Sequence, residues 1–165
     1  MKSKEFTITD DLLASQGRRF LNFSIDLIII YIVILSIATT LNLIAEVSGK
    51  HSLSEWVESL SLEEITVYSI LIMILYYGLT EIYFSRTLAK YFTKTIVVQI
   101  DGNKPTNQMI LTRTLCRFIP FEFVSFLGSV PRGWHDSFSK TYVVKKQRLN
   151  QKMKLFYSFD EVAKI

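Results

Sequence analysis

Three polar residues lie in a stretch of sequence that is otherwise almost wholly apolar. Arg19, Asn22 and Asp26 are three and four positions apart, and this spacing places all three on one face of an α-helix. A buried carboxylate beside a guanidinium either fixes helix packing or marks a path for protons or cations through a membrane. Arg19 and Asp26 are about 10 Å apart along the helix axis. They can interact only through extended side chains or a bridging water; alternatively, Arg113 or Arg117 is the nearer partner of Asp26.

The stripe begins one of two apolar stretches that are long enough to cross a lipid bilayer. Residues 20–45 carry one charge, Asp26, and as a helix they extend roughly 39 Å, against a hydrocarbon core of about 30 Å. Residues 65–85 have no charge before Glu81. Buried strands rarely exceed about 10 residues, and the first run is longer than the apolar region of a signal peptide. The pattern predicts two transmembrane helices.

A third apolar stretch, residues 109–130, is interrupted by Pro120 and by three charges. Three charges in one lipid-exposed helix are unfavourable, and proline breaks or kinks a helix. We expect two half-segments, Met109 to Ile119 and Phe121 to Val130, that re-enter the membrane or lie in its interface rather than cross it. The charged residues are Arg113, Arg117 and Glu122.

Basic residues predict the orientation of the chain in the membrane. The first 19 residues contain four Lys or Arg, and the segments that follow Ser85 and Val130 are also rich in them. The connection between the two spans, residues 46–64, contains one lysine and five glutamates. Because loops rich in Lys and Arg stay in the cytoplasm, we expect both termini on that side, with the acidic connection outside.

Two short β-branched segments predict a small cytoplasmic ribbon. Thr95 to Ile100 ends at the turn signal Asp101-Gly102-Asn103, and Thr141 to Val144 has a similar Val-Val centre. The predicted fold is an all-α membrane protein with two transmembrane helices, a broken re-entrant or interfacial helical region and this β-ribbon. We divide the chain into a cytoplasmic amino-terminal segment (1–14), a membrane domain (15–145) and a basic cytoplasmic tail (146–165).

Composition and missing motifs exclude several classes of function. The single cysteine, Cys116, excludes an internal disulfide framework, and His51 and His135 are too far apart in the 165-residue chain to form a local metal pair. The net charge of +4 fits basic loops near anionic lipid, and no nucleic-acid-binding module accompanies it. Nucleophile elbows, phosphate-binding glycine loops and His-Glu-x-x-His are missing. We expect a non-enzyme without cofactor, metal or nucleic-acid partner.

An ordered set of short motifs resembles the RDD family of bacterial membrane proteins, over about Ser15 to Lys145. On this resemblance Arg19, Asp26 and Asp136 are the three residues that name the family, with Arg18 as the adjacent candidate. The family often has glycine at the positions of Ser85 and Ala89, and a basic residue where Tyr91 stands. The motifs are Arg18-Arg19-Phe20 followed by Asp26, Ser85-Arg86-Thr87-Leu88-Ala89-Lys90 before Thr95-Ile96-Val97-Val98, and Gly133-Trp134-His135-Asp136-Ser137 before Lys140-Thr141-Tyr142-Val143-Val144.

The resemblance implies a location in the bacterial inner membrane and a role in transport of an unidentified ligand or in monovalent cation/proton exchange. Because two spans hardly enclose a path, we expect a homo-oligomer or other membrane subunits as partners besides the lipid bilayer. The alternative is a non-transporting scaffold or accessory subunit. The expected polar core or ion path is Arg19, Asn22, Asp26, Arg113, Arg117 and Asp136, with Arg18, Glu81 and His135 as secondary candidates.

The roles of His135 and Asp136, which lie in the Gly-Trp-His-Asp-Ser motif, each have two alternatives. Asp136 either bonds backbone amides in a cytoplasmic turn or pairs with Arg19 at the membrane face. His135 either titrates near neutral pH or serves only in packing.

Overall fold

The computed structural model describes residues 5–49, 51–119 and 132–162, with side chains to residue 159. A 3₁₀ turn at Asp10–Leu12 precedes the first helix. The helices are α1 (Gln16–Ser48), α2 (Ser52–Ser59), α3 (Leu62–Phe84), α4 (Leu88–Phe92), α5 (Asn107–Cys116), α6 (Trp134–Phe138) and α7 (Lys146–Val162), and the strands are β1 (Thr95–Val98) and β2 (Tyr142–Lys145).

Helices α1 and α3 confirm the two long apolar helices that the sequence predicts. They have 33 and 23 residues, so they extend roughly 50 and 35 Å, enough to cross a bilayer. Only 6% of the apolar window of α1 and 17% of that of α3 are buried. A core helix of a soluble protein would be mostly buried, so these exposed apolar surfaces indicate contact with lipid.

The ends of the spanning helices are fixed by local backbone signals. Helix α1 ends at Gly49, which has a left-handed φ of 66°. Helix α3 begins with a capping box in which Ser61 and Glu64 bond each other's backbone N–H groups, at 2.9 and 3.3 Å. It ends at Ser85, where a left-handed φ of 55° turns the chain sharply. This turn sends α4 back toward α1 and α3.

The third apolar stretch contains one short described helix, α5, which begins at the Thr106 cap. Its 10 residues extend roughly 15 Å, about half a hydrocarbon core. The helix ends at Cys116, earlier than the expected half-segment, because the N–H of Arg117 bonds the C=O of Thr114 in a tight turn (3.3 Å). Pro120 and the expected second half-segment, Phe121 to Val130, lie outside the described residues.

Strands β1 and β2 form the predicted ribbon, in an antiparallel register that pairs Val97 with Val143. The first strand ends two residues earlier than expected. Gln99 instead begins a turn in which its N–H bonds the C=O of Asn103 at 2.9 Å, and Gly102 takes a left-handed φ of 81°.

The ribbon is packed between the two outer segments of the described chain. Residues 5–14 contact both sides of the ribbon, because the N–H of Ala14 bonds the C=O of Val143 (2.9 Å) and the N–H of Ile8 bonds the C=O of Ile100 (2.7 Å). One hydrophobic core joins them to the ribbon and α7, so residues 5–14, the ribbon and α7 form one structural unit, which we call the ribbon unit. Its buried residues are Phe6, Ile8, Leu12, Leu13, Val98, Val144 and Leu149.

Candidate functional site

Glu81 lies in the last turn of α3 and contacts three cations. Its carboxylate is fully buried, with Lys90 Nζ at 2.8 Å, Arg113 Nε at 2.9 Å and Arg117 Nη2 at 3.0 Å. The sharp turn at Ser85 and the Thr87 cap of α4 bring Lys90 back alongside α3, while α5 supplies the two arginines. The charge of Glu81 is therefore compensated by side chains from two other helices.

Asp136, in α6, is the second buried carboxylate of the cluster. Its oxygens pair with the Nη1 atoms of Arg19 and Arg113. Nη1 of Arg113 also donates to Thr141 Oγ1 at 2.8 Å, and His135 Nε2 lies 3.5 Å from Asp136. The Asp136 side chain therefore pairs with Arg19, which is one of the two roles considered for it from the sequence.

Asp26, the third buried carboxylate, is held by neutral donors. The hydroxyls of Tyr76 and Thr87 donate to it at 2.7 and 2.8 Å, and the N–H of Ala89 donates at 3.4 Å. Within the described part of the chain, no Lys, Arg or His forms an ion pair with it.

Among the described residues, Asp26 therefore makes no direct ion pair with Arg19, Arg113 or Arg117. Arg19 bonds Asp136, because α6 brings that carboxylate to the first turns of α1, whereas Asp26 lies about 10 Å further along the helix. Arg113 and Arg117 bond Glu81. The residues of the predicted stripe do share a buried face, but they bond different partners.

Asn22 lies between the other two members of the stripe and binds the start of β1. Its Nδ2 donates to Thr95 Oγ1 at 3.2 Å, and its Oδ1 accepts from Thr93 Oγ1 at 2.6 Å. This amide therefore links the spanning helix α1 to the ribbon. Arg18 differs from these residues because it is exposed, and its Nη1 donates to the C=O of Thr93 at 3.3 Å.

Sequence reasoning missed three residues that the structure places in the cluster. Thr87 and Lys90 lie in a motif used for the family resemblance, so their positions could have been singled out there. Tyr76 lies among tyrosines that are typical of an aromatic belt, and nothing in its spacing indicates a bond to Asp26. Tyr77, next to it, packs under the guanidinium of Arg117, at 4.0 Å from the ring centroid.

Burial and the excess of cations lower the pKa values of two groups outside the spanning helices. Burial lowers the pKa of Lys90 to about 8, against the opposing attraction of Glu81. Burial, reinforced by Arg113 and the other cations, holds the pKa of His135 well below its usual range. His135 is therefore neutral near pH 7, which answers the question left open by the sequence. The network then has four cations (Arg19, Lys90, Arg113, Arg117) and three carboxylates (Asp26, Glu81, Asp136) among the described residues.

A small cavity lies inside the network. Its volume is ≈ 20 Å³, which is room for about one water molecule. In the described chain, no group of three or more His, Cys, Asp or Glu side chains is arranged to hold a metal ion. The lining residues are Arg19, Asn22, Phe23, Asp26, Lys90, Arg113, Arg117, His135 and Val143.

The described structure is that of a helical membrane protein with a charged core. It has two long helices with exposed apolar surfaces, and a buried network of ion pairs lies where α1 begins and α3 ends. A model of the RDD family matches residues 13–141, so the chain belongs to the RDD family. Searches of the curated proteins and of the solved structures found no significant match.

Proposed function

We propose that this protein is a transport-related membrane module that exchanges a monovalent cation for protons. In this proposal Asp26 binds the cation and Lys90 releases the proton. The observation that carries the proposal is the environment of Asp26, a carboxylate only 1% exposed whose described partners are two hydroxyls and one backbone amide.

The donors around Asp26 stabilise its charge without neutralising it. A carboxylate removed from water is costly unless a cation or a proton compensates it. The oxygens of Tyr76 and Thr87 lie within 2.8 Å of the carboxylate, and hard cations prefer oxygen ligands. Asp26 and the two hydroxyls therefore offer three protein groups to a dehydrated monovalent cation.

Lys90 provides the link between cation binding and pH. It faces Glu81 of α3, Asp26 of α1, and Arg113 and Arg117 of α5, and its pKa is about 8. A cation at Asp26 adds positive charge to this cluster, which lowers the affinity of Lys90 for its proton. Binding of the cation and release of the proton are then coupled, and by linkage each event promotes the other.

We place the protein in the bacterial inner membrane, crossing it more than once, with both ends of the chain in the cytoplasm. The distribution of Lys and Arg supports this orientation. We further propose that it assembles as a homo-oligomer or with other membrane subunits, because two spans hardly enclose a path. It has no nucleic-acid partner and no catalytic activity in this proposal.

One observation favours a second candidate, a scaffold or accessory subunit that transports nothing. Glu81 and Asp136 are already paired with cations, and the cavity of ≈ 20 Å³ leaves little room for a permeating ion. A buried network of this kind can serve only to fix the packing of α1, α3, α5 and α6.

Proteoliposomes distinguish the two candidates. Purified protein is reconstituted with a pH-sensitive dye inside, and Na⁺ or K⁺ is added outside under imposed pH gradients. We expect proton movement coupled to one of these cations, abolished by Asp26→Asn and retained by the matched surface variant Asp11→Asn, with equal assembly by size-exclusion chromatography. Absence of flux in the wild type, or equal flux in Asp26→Asn, rejects exchange and leaves the scaffold.

A further inference from the structure

A groove beside the charged core lies where α1 meets α4. Its volume is ≈ 460 Å³, and it is open to the surroundings of the protein. One part of its wall is apolar and the other is basic, with no carboxylate between them. The lining residues are Arg18, Leu21, Ile25, Phe92, Thr93 and Lys94.

The apolar wall of the groove continues the lipid-facing surface of α1. Leu21 is 48% exposed and Phe92 is 71% exposed; Leu21 belongs to α1, and Phe92 belongs to α4, which packs against α1. The neighbouring Tyr91 is also exposed, and Arg86 stacks on its ring at 4.7 Å from the centroid. Aromatic rings mixed with basic side chains are typical of the headgroup level of a bilayer, and this mixture supports placing the groove at that level.

The basic side chains of the groove are available to an anion. Arg18 bonds only the C=O of Thr93 in the described structure, at 3.3 Å, and neither Arg18 nor Lys94 has an ion pair with a described residue. Guanidinium and ammonium groups both bind phosphate, the former as a planar fork. Two cations beside an apolar wall are complementary to a lipid, in which a phosphate group is joined to acyl chains.

The backbone that carries Lys94 is held in place without a ligand. Lys94 has a left-handed φ of 56°, its N–H bonds the C=O of Tyr91 at 3.3 Å, and its C=O accepts from the N–H of Lys146 at 3.1 Å. Thr93 is tied to Asn22 in the charged core. The groove is thus a preformed part of the fold, and little order has to be gained on binding.

We propose that this groove binds one anionic phospholipid, with its phosphate between Arg18 and Lys94 and an acyl chain against Leu21, Ile25 and Phe92. The inference rests on the membrane placement of the protein and not on cation exchange. Experiments could therefore reject cation exchange and support lipid binding, or reject lipid binding and support cation exchange.

The test is lipid binding by the purified full chain in neutral detergent. Native mass spectrometry and the shift in Tm are measured with phosphatidylglycerol, with phosphatidylcholine and with inorganic phosphate. We expect one phosphatidylglycerol retained per chain and a larger rise in Tm than with either other addition. In the variant Arg18→Gln/Lys94→Gln, we expect the affinity for phosphatidylglycerol to fall by about fivefold for each charge removed.

The matched control is Lys104→Gln/Lys140→Gln, which removes two exposed charges outside the groove. Lys140 has a left-handed φ of 54°, close to that of Lys94, so the two lysines differ in surroundings rather than in backbone conformation. The proposal is supported if the control binds phosphatidylglycerol as the wild type does. Equal shifts with phosphatidylcholine or with inorganic phosphate overturn it, as do equal losses in the two double variants or no loss in the groove variant.

Discussion

Arg113 and Asp136 form an ion pair in which both side chains are buried, at 1% and 0% exposure. The Nε atom of the same guanidinium lies 2.9 Å from Glu81, so one arginine connects carboxylates from α3 and α6. The planar, forked guanidinium can contact two carboxylates at once, which the ammonium of lysine does less well. Arg113 therefore joins three helices.

Replacing Arg113 should destabilise the protein strongly. In Arg113→Met, Asp136 loses one cation and Glu81 another, and breaking a buried pair typically costs about 3–5 kcal/mol. We expect Arg113→Lys to be intermediate, and the variant of the half-buried Arg86, Arg86→Met, to lose no more than about 1 kcal/mol. Denaturant titration in detergent measures these free energies of unfolding; equal losses in Arg113→Met and Arg86→Met would contradict the role of Arg113.

Lys90 should make stability depend on pH in the alkaline range. Its pKa is about 8 in the folded protein and 10.5 as the reference value, so between these pH values the unfolded chain binds more protons. The free energy of unfolding should therefore rise with pH through this window, by up to about 1.4 kcal/mol per pH unit. Below pH 8 the contribution of this shift is constant.

The measurement for Lys90 is the difference between the wild type and Lys90→Met in unfolding free energy from pH 7 to 10. The exposed variant Lys140→Met serves as the control, and its curve should run parallel to that of the wild type. If the unfolding free energies of the wild type and Lys90→Met change with pH in the same way, the predicted effect of Lys90 is contradicted.

The hydrogen bond from Tyr76 to Asp26 should be detectable by a double-mutant cycle. Tyr76→Phe removes the hydroxyl, and Asp26→Asn keeps the shape but removes the charge. Hydrogen bonds to charged groups contribute about 1.5–3 kcal/mol and neutral ones about 0.5–1.5, so we expect a coupling energy of about 1 kcal/mol. The control cycle uses Tyr31→Phe, a ring that is 62% exposed, and additive effects in both cycles would argue against the bond.

A side chain at Gly102 should destabilise the turn of the ribbon unit. Its φ is 81°, and an added Cβ would lie 3.2 Å from the Phe6 ring and 3.3 Å from Met153 Sδ. Gly49→Ala is a matched control, because Gly49 also has a positive φ but open space around it. We expect a loss of about 1 kcal/mol in the control from backbone strain and a larger loss in Gly102→Ala, read by thermal unfolding. Equal losses would mean that the contacts with Phe6 and Met153 relax without penalty.

Elements that depend on local pattern were predictable from the sequence. Continuous apolar runs indicated α1 and α3, and β-branched pairs next to an Asp-Gly turn indicated the ribbon. The helical period placed Arg19, Asn22 and Asp26 on one face, and they are all buried. In each case the signal lies within a single segment, where geometry links spacing to direction.

The pairing within the charged core was not predictable in the same way. Arg19 and Asp136 are 117 positions apart, and no spacing rule covers that separation. The position of Lys90 beside Glu81 depends on the left-handed turn at Ser85, and no glycine in the sequence indicates this turn. The side-chain donors to Asp26 are hydroxyls, which leave no charge pattern in the sequence.

The separation between Arg19 and Asp136 also sets an order of events during biosynthesis. Ribosomes add roughly 5–20 residues per second, so the arginine is made roughly 6–23 s before its carboxylate partner. During that interval α1 has been synthesised, while α6, which carries the partner of Arg19, does not yet exist. The contact between α1 and α6 can therefore form only after α6 has been synthesised, so the charged core is completed late in the synthesis of the chain.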